Sequence, residues 1–195
     1  GVAEFQAMIG ETFRTIPLAI DPPEHGKYRR FLNQFFTPVA MKAMEAPIRT
    51  LVNAMIDQFA DKGEVDIAYD FGRVYPVRIF MNMMRFPEAM FEQFLDWEWA
   101  ILHSNDPAAS GGAMVAVIAW LRGFIAEKEK NPDDGLTSKI VNGSIDGVPL
   151  TADEKIGILW LLWLGGLDTV ASTISQMFRR LGQHPELQAQ LRDSP

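Results

Sequence analysis

Ile156-Gly157-Ile158-Leu159-Trp160-Leu161-Leu162-Trp163-Leu164-Gly165-Gly166-Leu167 is followed at once by Asp168-Thr169. A helix that is apolar on every side is buried rather than half-solvated. Its start is marked upstream by Thr151-Ala152-Asp153-Glu154, a capping box in which hydroxyl and carboxylate satisfy each other's backbone N–H groups. The spacing predicts one long helix from there to about Leu181, with His184-Pro185-Glu186 opening a short last helix. A buried central helix needs others around it, so the fold class is mainly α.

Two adjacent glycines inside that helix cost about 2 kcal/mol relative to alanine. Glycine lets a flat group or another backbone come close, which is one way to offset the cost. Thr169 can return its hydroxyl to the Gly165 carbonyl at i−4, or release it and bond elsewhere. Asp168 closes an apolar run, where an unpaired carboxylate is expensive, so it needs a partner, a raised pKa or water. Two readings stand. Either two helices cross at the glycines and Asp168 sits in a structural salt bridge, or the helix holds a functional gap lined by an acid and a hydroxyl.

Working outward, Asp21-Pro22-Pro23-Glu24 is expected to start a helix with Asp21 as N-cap, and Thr37-Pro38 to start another. Met44, Ile48, Leu51, Val52, Met55, Ile56 and Phe59 follow helical spacing, with Gly63 as the stop and Glu64 to Ile67 as a short strand. Further helices are expected at about 70–84, 87–104, 110–130 and 136–142. Asn131-Pro132-Asp133-Asp134-Gly135 makes a break between the last two. Ile145-Asp146-Gly147-Val148 carries the Asp-Gly signature of a tight hairpin. Trp97, Trp99, Trp120, Trp160 and Trp163 are assigned to the core.

Composition narrows the functions. The chain has 195 residues, enough to bury a core without a staple, and no cysteine. Disulfides, zinc–thiolate sites, iron–sulfur clusters and a cysteine nucleophile are therefore excluded for these residues. A net charge of −7 argues against nucleic acid or an acidic membrane as the main partner. The apolar run at 156–167 is too short to cross a bilayer. The start at Gly1, with no basic-then-apolar leader pattern, is expected of a processed or truncated piece.

His25 and Arg29 are four apart on the helix after Pro23 and share a face. An imidazole and a guanidinium converging there suit a carboxylate pair, while Lys27 and Arg30 nearby allow a simple solvated basic face. His103 and His184 stand alone in sequence, and no metal site is expected from their spacing. GxSxG, HExxH, phosphate-loop and GxGxxG patterns are absent from the sequence.

Taken together, these stretches resemble a cytochrome P-450. Asp21-Pro22-Pro23-Glu24-His25-Gly26-Lys27-Tyr28-Arg29-Arg30 is similar to the family's C-helix motif, and Gly165-Gly166-Leu167-Asp168-Thr169 to the oxygen-activation motif of its I helix. Residues 143–153 resemble the hairpin leading into that helix, and Pro76-Val77-Arg78-Ile79-Phe80 an E-helix segment. The likeness covers nearly the whole chain and is greatest to the bacterial camphor 5-monooxygenase class.

The resemblance implies haem b as cofactor, with His25 and Arg29 on its propionates. It implies that Gly165 and Gly166 let haem-bound dioxygen approach. Thr169 would hydrogen-bond the activated oxygen, and Asp168 would gate protons towards it, with His103 or Arg78 as Asp168's partner. Leu161 and Leu164 would line the substrate pocket, joined by Phe13 from the preceding loop. The implied partners are a small hydrophobic substrate, dioxygen and an acidic ferredoxin-type electron donor docking on Lys27, Arg29 and Arg30, in the cytoplasm.

The family's iron ligand is a cysteine thiolate, which these residues lack. Glu11-Thr12-Phe13-Arg14 has the spacing of the family's ExxR motif but lies on the wrong side of the C helix. Residues 1–195 are thus expected to be the central portion of one P-450 domain, running from C to J helix without the N-terminal sheet and the haem-ligand region. The parent would be a monooxygenase and this portion alone inactive. The alternative expectation is a non-catalytic helical fragment that self-associates into a homo-oligomer, or binds a partner, through its exposed core.

Overall fold

The computed structural model describes residues 6, 7 and 9–194; Gly1 to Phe5, Met8 and Pro195 lie outside the described residues. The capping box forms as expected. Thr151 Oγ1 accepts from the Glu154 N–H at 3.3 Å, while the Thr151 N–H donates to Glu154 Oε2 at 2.6 Å.

Among the described residues from Glu24 on, eight helices follow one another: α1 (Glu24–Asn33), α2 (Pro38–Asp57), α3 (Val74–Met84), α4 (Phe91–Leu102), α5 (Pro107–Lys130), α6 (Leu136–Val141), α7 (Ala152–Gln183) and α8 (Pro185–Asp193). Strands β1 (Ser144–Ile145) and β2 (Val148–Pro149) pair antiparallel, Ile145 opposite Val148. Asp146 at φ 53° and Gly147 at φ 80° make the turn between them, both in the left-handed region that a two-residue hairpin of this twist demands. The protein is mainly α with one small hairpin.

α7 is the axle. Ile156, Ile158, Leu159, Trp160, Trp163 and Leu167 are all buried, and α3, α4, α5 and α6 pack around them. Phe94 of α4 meets Trp163 edge-on at 6.0 Å and Trp120 of α5 at 4.9 Å, so aromatic edges and faces join three helices. The segment before α1 crosses α7 at Gly157. There the Ile16 N–H donates to the Gly157 carbonyl at 3.2 Å, and a Cβ on Gly157 would collide with the Arg14 carbonyl. α5 and α7 are long and apolar enough to cross a bilayer by length and composition, although the uninterrupted run at 156–167 is not.

The structure corrects four local expectations. Glu64 to Ile67 is not a strand: the Asp66 side chain accepts from the Ala68 and Tyr69 N–H groups and opens a π-helical turn, Ile67–Gly72. An isolated strand there would leave its backbone groups unpaired. Asp21 does not cap α1 with its side chain. Its carbonyl accepts from the His25 N–H, and Pro23, which has no N–H to satisfy, occupies the N-cap position. α2 ends at Asp57, and Gly63, at φ 77°, closes a separate 3-10 turn, Ala60–Lys62. Trp99 is 53% exposed on the outer face of α4, whereas Trp160 and Trp163 are buried.

Candidate functional site

The exposure of α7 changes along its length. Leu161 is half-buried, and Gly165, Thr169 and Thr173, each four residues on, are exposed along one line of the helix. A Cβ on Gly165 would meet nothing within 4 Å, so the helix surface there is bare. Gly166 points the other way, and a Cβ on it would run into the Phe80 ring of α3. The two glycines thus divide the two readings offered for them. Gly166 packs against α3, while Gly165, expected with it beside dioxygen, leaves the open side of the helix bare.

The Thr169 hydroxyl donates to the Gly165 carbonyl at 2.8 Å, taking the i−4 option. Asp168 has found partners. His103 Nε2 lies 3.1 Å from its Oδ1, and the Ser172 hydroxyl donates to the same oxygen at 3.2 Å. Arg78, the other expected partner, is instead ion-paired with Glu88 and stacked over Phe91 at 4.3 Å.

Sequence spacing concealed a third member of this group. His103 Nε2 also lies 3.2 Å from Glu98 Oε1, and Glu98 is 5% exposed. Glu98, His103 and Asp168 place one ligand-type atom each within 4.8 Å of one another, so His103 is not the isolated residue its spacing suggested. Burial pushes the Glu98 carboxyl above its usual pKa; the facing His103 opposes this, and Asp168 adds to it. The triad lines a cavity of about 350 Å³ together with Tyr69, Arg73 and Ser175.

Leu161 and Leu164 are half-buried on α7. Phe13, expected in the substrate pocket, is 1% exposed and belongs to the hydrophobic core. On α1, His25 is half-buried and Arg29 exposed; neither side chain has a hydrogen-bond or ion-pair partner among the described residues. Tyr28, between them, is buried and donates to Glu154 Oε1 at 2.6 Å, which fastens α1 to the first turn of α7. Burial and the Glu154 carboxylate hold the Tyr28 hydroxyl well above its usual pKa. From Glu154 to Gly165 is about 16 Å along the helix axis. Glu11 and Arg14 do not pair with each other: Glu11 accepts from Arg122 Nε at 3.0 Å, and Arg14 lies 3.7 Å from Glu24.

These residues fit part of a haem cradle. A bare helix face at Gly165 leaves room for a flat group, and on α1 the Arg29 guanidinium and the His25 ring, without partners among the described residues, suit its carboxylates. The axial thiolate is not among them, since the sequence has no cysteine.

No protein-family profile matches the chain. Among curated proteins it is 31% identical over 192 residues to "Probable cytochrome P450 127A1" of Sinorhizobium fredii, covering 98% of this chain and 46% of that protein. It is 30% identical over 175 residues to the erythromycin C-12 hydroxylase of Saccharopolyspora erythraea, covering 85% and 43%. Among solved structures, Mycobacterium marinum cytochrome P450 CYP268A2, in complex with pseudoionone, superposes with a TM-score of 0.83 at 27% identity. That match covers 98% of this chain and 48% of the other. The chain spans less than half the length of these relatives. With likeness of sequence and of fold extending over nearly all its residues, the chain belongs to the cytochrome P450 family.

Proposed function

We propose that the protein carrying this chain is a haem-thiolate monooxygenase that inserts one oxygen atom of dioxygen into a small hydrophobic substrate. One observation carries the reading: bare Gly165 and the Thr169 hydroxyl share an open line of α7, with the Asp168 carboxylate adjacent and held from the other side. Relatives named as hydroxylases and epoxidases support it. Haem b, when bound with a thiolate from outside these residues, supplies the iron at which dioxygen is activated.

The chain's own residues do the rest. His25 and Arg29 would hold the two propionates by hydrogen bonds, charge-assisted from the Arg29 guanidinium. Gly165 keeps the helix surface flat enough for a ligand to approach, and Leu161 and Leu164 turn apolar surface towards the substrate. The Thr169 hydroxyl donates to the Gly165 carbonyl, so its oxygen is an acceptor on the open face, and it presents a donor there once it turns away from that carbonyl. Asp168 Oδ1 is engaged by His103 and Ser172, which leaves Oδ2 without a partner among the described residues and free to pass a proton on. Lys27, Arg29 and Arg30 are exposed on α1 and offer a basic patch to an acidic ferredoxin-type donor. The reading places a soluble enzyme in the cytoplasm of a bacterium and assigns these residues to one portion of a single domain, inactive without the thiolate.

Thr169→Ala in the haem-loaded protein tests this. Product formed per electron pair consumed is expected to fall by about tenfold or more, with the substrate-induced spectral shift retained. Unchanged coupling would remove Thr169 from the mechanism. A protein that takes up no haem would overturn the reading altogether.

A further inference from the structure

We infer that Glu98, His103 and Asp168 form a binding site for one divalent transition-metal cation of the zinc type, tying α4 to α7. The inference goes beyond the monooxygenase reading and does not depend on it.

The three side chains already converge. His103 Nε2 lies 3.2 Å from Glu98 Oε1 and 3.1 Å from Asp168 Oδ1, and the three ligand-type atoms are all within 4.8 Å of one another. A four-coordinate zinc ion, with bonds of about 2.0–2.1 Å, sets its ligand atoms roughly 3.4 Å apart. Two edges of that figure are therefore nearly in place, and a small carboxylate rotation closes the third. Nδ1 of His103 has no partner among the described residues, so it can keep the ring hydrogen and leave Nε2 with its lone pair towards the ion. The Ser172 hydroxyl donates to Asp168 Oδ1 at 3.2 Å and steadies that carboxylate from behind.

Charge gives the cluster a use for a cation. One Nε2–H cannot serve both carboxylates fully, since one nitrogen carries one hydrogen. The Glu98 side chain is only 7% exposed yet faces the cavity. Its burial and the nearby Asp168 both oppose its ionisation. A divalent ion bound to all three groups offsets both effects at once. The cavity of about 350 Å³ leaves room for water as the fourth ligand, and the 44% exposed His103 side chain marks the way in.

The rest of the cavity wall sets the limits. Among the described residues its other charged group is Arg73, whose positive charge weakens a cation's hold but whose guanidinium is anchored on the Leu95 carbonyl at 3.0 Å. Tyr69 is exposed and adds no anion at neutral pH. One imidazole with two carboxylates suits zinc and its first-row neighbours. Magnesium and calcium, which want six or more oxygens, are poorly served.

The experiment titrates zinc chloride by calorimetry into the haem-loaded, tag-free protein that carries this chain, at about pH 7.5. His103→Gln, Glu98→Gln and His184→Gln are titrated alongside. Wild type is expected to take up one zinc ion per chain that His103→Gln and Glu98→Gln each bind at least tenfold more weakly. His184→Gln is expected to keep that ion, because the His184 ring pairs with Glu186 at 2.8 Å and does not line the cavity. Lowering the pH to about 5.5 is expected to weaken the wild-type site at least tenfold, as protons compete for the imidazole nitrogen. Magnesium chloride should give no saturable heat at this site. Equal zinc binding by wild type, His103→Gln and Glu98→Gln overturns the inference. So does magnesium bound as tightly as zinc, which would mark a mere patch of negative charge. If His103→Gln does not fold, the nearly isosteric Glu98→Gln decides alone.

Discussion

Gly165 and Gly166 are neighbours with opposite duties, and substitution separates them. Gly165→Ala adds a methyl to empty space and removes the helix penalty of glycine, so it is expected to stabilise the fold by up to about 1 kcal/mol. Gly166→Ala drives a methyl into the Phe80 ring and is expected to cost about 1–3 kcal/mol. Denaturant melts of the two variants check both signs; equal effects would mean the glycines share one environment. The sequence pattern placed both glycines in a buried helix and posed the choice between packing and function. It could not assign one to each, because that depends on Phe80, a residue some 85 positions upstream. Thr169 was easier to read, since its partner, the Gly165 carbonyl, lies one turn away on the same helix.

At the level of elements, α4 meets α7 through Glu98, His103 and Asp168, and this contact carries a pH signature. Glu98 has a higher pKa folded than unfolded, so the folded state binds its proton more tightly. The sign follows: the penalty is absent below the ordinary glutamate pKa and complete above the raised folded value, so this group costs stability as pH rises between them. Glu98→Gln keeps an oxygen for the His103 N–H and removes the charge. It is expected to raise the melting temperature at pH 7, with the gain shrinking to nothing towards pH 4. A gain independent of pH would show that charge is not the cause. Elements with local signals were legible: the capping box of α7, the Thr37 cap of α2 and the Asp146-Gly147 turn all appear where their residues demand. Glu64 to Ile67 was misread because β-branched Val65 and Ile67 alternate with acids, while the deciding interaction is the Asp66 side chain on two backbone N–H groups.

For the whole molecule, the helical core and the family were legible in the sequence, whereas the Glu98–His103–Asp168 group needed three dimensions. The 195 residues mixed with haem and reduced under carbon monoxide are expected to show no thiolate-type Soret band, since none of them can supply the sulfur. Such a band would mean that a cysteine-bearing segment accompanies them in the sample. Met177, Phe178 and Leu191 are exposed along the C-terminal end of the bundle, so the same sample also reports on self-association through its concentration dependence. The position of Trp99 gives a different kind of access. Of the five tryptophans, Trp160 and Trp163 are buried and Trp97 and Trp120 partly so, while Trp99 stands in solvent on the rim of the cavity that holds His103. A water-borne quencher therefore dims one indole far more than the other four, and the molecule brings its own lamp to the mouth of the cavity that holds Glu98, His103 and Asp168.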